Sequence, residues 1–271
     1  MIPQHEEQLF LETLWSYYHD HGRHDLPWRR PKMDDSFDPY KIMVSELMLQ
    51  QTQVPRVMPK YAAFLQRFPT VETLAGAELG DVLREWQGLG YNRRAKFLWQ
   101  TAQKVSELGA FPTTQDELVK LPGIGPNTAG AILAYAYNQP VVFIETNVRT
   151  VYIHHFFHDQ TGVADREILS LVEQTLDHEN PREFYWALMD YGSHIKATIG
   201  NANKASKHYV KQSVFNGSRR QVRGVVLRAL GDGMKSLESL QLAIPDERLV
   251  SVLSDLVSEG MIRTERGAYS L

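Results

Sequence analysis

Two acids in this sequence have the setting that chemistry needs. Glu46, in "IMVSELMLQQTQV", has Ile42 and Met43 one helical turn before it and Leu49 and Gln50 one turn after, which puts it on a largely apolar helix face. Loss of water disfavours a charge there, so this carboxyl is expected to stay protonated near neutral pH. Glu145 follows the apolar run "VVFI" and precedes "TNVRTVYIHHFF", which reads as a helix starting beside it. The dipole and free N–H groups of a helix start favour the anion. A protonated acid and a fixed carboxylate are the pair that cleaves an N-glycosidic bond: one protonates the leaving base, the other stabilises the oxocarbenium-like sugar. Each acid also has a plain structural reading, Glu46 as a carboxylate at the edge of a core and Glu145 as an ordinary helix cap.

A second motif suits a polyanion. "KLPGIGPNTAG" joins two helices through Gly123 and Gly125, positions where the backbone can take positive φ and approach another surface closely. Pro126 fits the first turn of the second helix. The free N–H groups at that helix start, around Thr128, form an anion site on which a DNA backbone could dock without sequence preference. A tight helix-helix turn would need the same glycines.

The elements that must position these groups are helices. "EEQLFLETLWSYYHDHG", "YKIMVSELMLQQT", "VMPKYAAFLQRF" and "RRAKFLWQTAQKVSELG" carry helical periodicity, and "TTQDELVKL" opens with a predicted capping box, Thr114 with Glu117. Up to about residue 215 the pattern is that of an all-α bundle. The tail changes: "SRRQVRGVVLRALGDG", "SLESLQLAI" and "DERLVSVLSDLVSEG" read as three helices, and "MIRTERGAYSL" as a two-stranded wing around Gly267. That order is a winged helix-turn-helix. Such a domain commonly offers its third helix to DNA, but here that helix carries more acids than bases, so a packing or protein-contact role is equally open.

With 271 residues, 43% hydrophobic and 23% charged, the chain has ordinary globular composition. A formal net charge of -3 does not by itself point to nucleic acid, so such a partner must rest on a local patch. "KATIGNANKASKHYVKQSVFNGSRR" supplies one: Lys196, Lys204, Lys207, Lys211, Arg219 and Arg220 without an acid among them. The absence of cysteine excludes disulfides, thiolate metal sites, cysteine-held iron–sulfur clusters and a cysteine nucleophile. His154 and His158 lie at i and i+4, but no third metal ligand is evident and they read as surface histidines. No apolar run approaches the roughly 18 residues of a membrane span, and a cytoplasmic, nucleoid-associated location is expected.

Together these stretches resemble the helix-hairpin-helix DNA glycosylases, most closely the A/G-specific adenine DNA glycosylases of the MutY type. The likeness runs colinearly through "LPWR", "SELMLQQTQV", "RFPTVETLA", "WQGLGYNRRAKFL", "LPGIGPNTAGAIL", "ETNVRTV" and "ALMDYGS". It implies that Glu46 protonates the base, that Asn147 helps to position the catalytic carboxylate, and that Gln51, Thr52, Leu89 and Tyr91 wedge into the duplex and contact 8-oxoguanine opposite the adenine. Gly123, Gly125 and Thr128 of the hairpin, with Lys204, Lys207 and Lys211, would bind DNA. Glu145 stands where the family has an aspartate. Asn127 lines the substrate pocket at the position of the Schiff-base lysine of bifunctional lyases, so a covalent lyase mechanism is not expected. The family's four-cysteine iron–sulfur loop has no cysteine here, which implies the clusterless variant, and a winged helix stands in place of the Nudix-like domain. No metal is expected on side chains; a monovalent cation on the hairpin carbonyls is implied by the superfamily.

The implied division is residues 1–35 with 141–218 as one helical subdomain, the one that normally carries the cluster, 36–140 as the barrel subdomain with the hairpin, and 219–271 as the winged helix. The implied function is a monofunctional glycosylase acting as a monomer on double-stranded DNA, excising adenine mispaired with 8-oxoguanine or guanine. Two alternatives stay open: release of another base (hypoxanthine, uracil, thymine or a modified base), and a catalytically weak protein that binds a lesion or a DNA structure.

Overall fold

Helical periodicity carries through into helices. The computed structural model describes residues 2–271. In chain order the helices are α1 Gln4–His21, α2 Pro39–Leu49, α3 Val54–Arg67, α4 Val71–Ala75, α5 Leu79–Glu85, α6 Arg93–Leu108, α7 Gln115–Leu118, α8 Pro126–Tyr137, α9 Thr146–Phe156, α10 Asp165–Thr175, α11 Pro181–Thr198, α12 Arg219–Gly231, α13 Leu237–Ala243 and α14 Leu249–Ser258. Three short strands, β1 Lys235–Ser236, β2 Arg263–Glu265 and β3 Ala268–Ser270, belong to the tail. Among the described residues the fold is all-α with this one small sheet.

The chain divides into two compact units. The first holds residues 1–42, 113–120 and 124–211, the second residues 43–112, 121–123 and 212–271. This differs from the expected division in two ways. Residues 36–42, 113–120 and 124–140 go with the first unit, and residues 212–218 go with the second, in which the winged helix is grouped with α3 to α6.

In the first unit α1 buries Phe10, Leu14 and Tyr18, a stripe at four-residue spacing. α9 and α11 pack closely because Gly192 offers no side chain: a Cβ there would stand 2.5 Å from the Asn147 carbonyl oxygen. Asp190 of α11 ties down the "LPWR" segment, accepting from both terminal nitrogens of Arg29 at 2.7 and 2.8 Å and from Nε of Arg23 at 2.7 Å. Burial raises its pKa, but the Arg29 and Arg23 guanidiniums outweigh that and hold the carboxyl below its ordinary range. Removing one partner of such a buried pair typically costs about 3–5 kcal/mol.

In the second unit Phe64 and Trp86 meet edge to face, with ring centroids 6.1 Å apart. The tail is a winged helix with a three-stranded sheet in the order β1-β3-β2, not the two-stranded wing expected. The extra strand is two residues long, pairing Lys235 with Tyr269, and has no length in which to show alternation. Glu259, just past α14, takes Arg93 of α6 and Arg223 of α12 at 2.5 Å each. Burial raises its pKa, yet the two guanidiniums bring it down to about 2.

The remaining local differences are small. Thr114 does not cap α7 by accepting a backbone N–H; its hydroxyl donates to Glu117 at 2.7 Å. The working capping box is Thr70 with Thr73 at the start of α4.

Candidate functional site

Glu145 is delivered by an extended segment with no neighbouring strand. Phe143 and Ile144 are buried, so their backbone groups need partners. A side chain of α11 serves part of the run: the Tyr185 hydroxyl accepts from the Phe143 N–H at 3.2 Å and donates to the Val141 carbonyl at 2.8 Å. The Phe143 ring stacks on Tyr185 with centroids 4.0 Å apart. Gly130 in the small-residue helix α8 makes room for it, since a Cβ there would lie 2.7 Å from the Phe143 Cβ. The run therefore ends at a fixed place, and Glu145 becomes the N-cap of α9 without a side-chain capping bond.

The electrostatics of Glu145 reverse the expectation. Instead of a carboxylate held as the anion by the helix start, it is an acid whose pKa burial pushes up to about 7, against a smaller downward pull from Arg149. Arg149 is weakened as a counter-charge because it pairs with Asp165 through two hydrogen bonds of 2.8 Å. Asn147, in the first turn of α9, has its backbone packed against Gly192 and its amide nitrogen 3.5 Å from the Met189 sulfur. Glu46 lies in the second unit on α2, half-buried, after the buried Ile42 and Met43 and before the half-buried Leu49 and Gln50, as the spacing implied.

The residues expected to wedge into DNA sit together in the second unit. Gln51 and Tyr91 both have positive φ, 57° and 46°, a backbone state that costs a side-chain-bearing residue about 1–3 kcal/mol and often marks function. Arg94 holds both turns. Its Nη1 donates to the carbonyls of Leu47, Met48 and Gln50 at 2.6, 3.0 and 2.5 Å, and its Nη2 donates to Thr52 Oγ1, Leu89 O and Gly90 O at 3.1, 3.2 and 3.0 Å. Burial lowers the Arg94 pKa to about 10, which leaves it a cation at neutral pH. Thr52 adds a bond to the Leu89 carbonyl at 3.2 Å. Gln51 and Tyr91 are exposed and Thr52 is half-buried, but Leu89 is buried at 3% exposure, so of the four residues expected to wedge Leu89 is the one not presented.

In the hairpin Gly123 takes φ of 75° and packs on Phe97, leaving no space for a Cβ. Gly125 does not use that freedom: its φ of -88° is open to any residue. A Cβ on it would meet nothing within 4 Å, so the glycine keeps the start of α8 uncovered. Pro126 opens that helix and Asn127 is exposed beside it. Lys204, Lys207 and Lys211 are exposed and form no salt bridge among the described residues. Arg219, expected in the same patch, is neutralised by Asp255 at 2.6 Å.

Residues 44–174 match the HhH-GPD superfamily of base excision DNA repair proteins. The adenine DNA glycosylase of Mycolicibacterium smegmatis is 33% identical, over 95% of this chain and 94% of that protein. The chain belongs to the adenine DNA glycosylase family.

Within that family, the Buchnera aphidicola (Baizongia pistaciae) protein is 35% identical over 76% of this chain, and the human one 37% over 70%. The chain spans 60% of the former and 36% of the latter. Among solved structures a thermostable thymine-DNA glycosylase aligns with a TM-score of 0.61 at 21% identity, covering 74% of this chain and 93% of that one. Endonuclease III in a non-covalent DNA complex gives 0.60 at 17% identity, over 73% and 90%. These two show a shared fold.

The iron–sulfur loop of the family does not fit this chain, which has no cysteine to hold one. Residues 202–206 are instead fastened by protein groups. The buried Asn203 donates to the Thr146 carbonyl at 3.1 Å and to the Thr150 hydroxyl, and in a parallel bridge to Ser206 the Val163 N–H donates to the Ala205 carbonyl at 3.0 Å while its carbonyl accepts from the Lys207 N–H at 2.9 Å. Among the described residues no cluster of three or more metal-ligating side chains occurs, and no helix is long and apolar enough to cross a membrane.

Two kinds of functional residue escaped the sequence reading. Arg94 and Tyr185 touch no ligand by pattern; Arg94 stands in "GLGYNRRA", a quoted motif whose first arginines look alike, and Tyr185 in a helix where it reads as core.

Proposed function

We propose that this protein is a monofunctional adenine DNA glycosylase that acts as a monomer on duplex DNA and removes adenine mispaired with 8-oxoguanine or guanine. The observation that carries this reading is a carboxyl at position 145, fixed by Tyr185 and Phe143 at the start of α9 and poised to titrate at about 7. A group poised near neutrality can hold a charge or a proton on demand.

Glu46 donates its proton to the flipped adenine, and the bond between the base nitrogen and C1′ breaks with its electron pair leaving on the base. The sugar is then oxocarbenium-like. Glu145, ionised, stabilises that cation and takes a proton from the water that adds to C1′. The products are free adenine and an abasic site. Asn147 keeps the Glu145 turn in place. Asn127 has no amine to attack C1′, so the reaction stops at hydrolysis without strand cleavage. Tyr91 and Gln51 enter the duplex where the adenine left it, and the hairpin with Lys204, Lys207 and Lys211 grips the phosphates.

Incubation with a panel of duplexes tests this, scored for alkali-sensitive sites. Adenine opposite 8-oxoguanine is expected to be released fastest, with no nick before alkali; release of only another base, or of none, contradicts it.

A further inference from the structure

The tail of the chain reaches the turns that carry Gln51 and Tyr91. We propose that residues 212–220, the segment entering the winged helix with the first turn of α12, read the base opposite the excised one, taking a purine nucleotide of that strand through Gln212 and Arg220. The inference rests on the glycosylase reading above.

Within the second unit a cavity of about 460 Å³ is lined by Gln51, Tyr91 and Arg94 and, from α12, by Arg219, Arg220 and Arg223. This is within the usual range of small-ligand sites, about 300–1,000 Å³. Its cations are not equivalent. Arg219 is paired with Asp255, Arg223 with Glu259, and Arg94 is engaged with backbone carbonyls. Arg220 has neutral partners only among the described residues: the Tyr91 hydroxyl, and the Ser213 carbonyl and hydroxyl at 2.7 and 3.1 Å. Its guanidinium also lies 5.2 Å from the centre of the Tyr91 ring. Gln212 donates to the Tyr91 hydroxyl at 2.7 Å and to the side-chain oxygen of Gln51.

The cavity thus offers an uncompensated guanidinium, the Gln51 carboxamide and an aromatic face, and the Gln212 carboxamide is bonded to two of its lining residues, Gln51 and Tyr91. A guanidinium pairs with the O6 and N7 acceptors of guanine or with a phosphate, and an aromatic face stacks on any base. A carboxamide has both a donor and an acceptor. 8-Oxoguanine presents N–H at position 7 beside carbonyl oxygens, a pattern a carboxamide matches and a guanidinium, which only donates, does not. Gln212 accordingly favours 8-oxoguanine over guanine, whereas Arg220, donating to the O6 that both bases carry, supports both.

The test uses the full chain and binding alone, with the non-cleavable 2′-fluoro-deoxyadenosine opposite 8-oxoguanine, guanine or thymine. Wild type, Gln212→Ala, Arg220→Ala and, as a control on the exposed face of α12, Arg228→Ala are compared. Gln212→Ala is expected to lose at least about fivefold of the preference for 8-oxoguanine over guanine, and Arg220→Ala to bind both mispairs about tenfold more weakly with little change for the thymine pair. Arg228→Ala should match wild type, and all four should melt alike. Wild type that binds all three duplexes alike, unchanged ratios in both variants, or an equal loss on every duplex would overturn the proposal. Because no base is released in this assay, expected ratios from a protein without activity would contradict the glycosylase reading and leave this inference standing.

Discussion

Tyr185 accepts the N–H of Phe143 at 3.2 Å and donates to the carbonyl of Val141 at 2.8 Å, so one phenol does for this segment what a neighbouring strand would do. The path of the chain into Glu145 depends on it. Tyr185→Phe keeps the ring stack and removes both bonds. It is expected to cost about 1–3 kcal/mol in denaturant melts. It should also slow single-turnover adenine release at least about tenfold, a drop that 1 Å of misplacement suffices to cause. Loss of stability with full activity would show that Glu145 is positioned by something else.

The acidity of Glu145 sets a pH dependence with a definite sign. Its pKa stands at about 7 in the folded protein against 4.5 for an unperturbed glutamate. The folded state therefore holds the proton more tightly than the unfolded chain does, and stability falls as pH rises between those two values. Glu145→Gln should raise the melting temperature at pH 8 relative to wild type and change it little at pH 4.5. The reaction needs the Glu145 anion, so kcat/KM for wild type should climb with pH up to about 7, and fall again only where Glu46 loses the proton it donates. A flat profile from pH 5 to 8 would contradict the anionic role.

Arg94 makes a different kind of claim, about scaffolding. Arg94→Ala leaves buried carbonyls of Leu47 and Met48 without donors and should destabilise by about 3 kcal/mol or more. Arg94→Lys keeps the charge, but an ammonium cannot span acceptors on both turns, so it should recover little of the loss. A melt of Arg94→Lys within error of wild type would rule out the fork geometry as the reason for arginine.

Gly192→Ala probes the contact behind Asn147. The added Cβ would stand 2.5 Å from a backbone oxygen that cannot rotate away, so α9 must shift. Overpacking of this sort costs about 1–3 kcal/mol. Activity should fall further than the loss of folded protein explains, whereas Gly224→Ala, with nothing within 4 Å, should leave both unchanged.

Much of this was legible in the sequence because helices announce themselves through local spacing. The apolar face around Glu46, the stripe of α1 and the three tail helices are patterns within a few turns. What stayed hidden is set by contacts between distant residues. β1 is two residues long and becomes a strand only because β3 returns to it. Gln212 and Arg220 look like part of a basic linker, yet they reach Tyr91, more than a hundred residues earlier. At Glu145 the helix start was legible and the burial that outweighs it was not, because the atoms that exclude water come from elsewhere in the chain. The site residues carried by motif, Gln51, Thr52, Tyr91 and Gly123, were found in strained or clamped backbone. The clamp itself, Arg94, was not recognised as one.

The account stands or falls on Glu46 and Glu145 each being needed for adenine release. The direct measurement is single-turnover excision from a duplex with adenine opposite 8-oxoguanine, at pH 7.5, by wild type, Glu46→Gln and Glu145→Gln, with binding to the same duplex measured in parallel. Both variants should bind as wild type does and release adenine at least about 100-fold more slowly, the lower end of what a positioned acid or base contributes. Release by either variant at the wild-type rate would contradict the account.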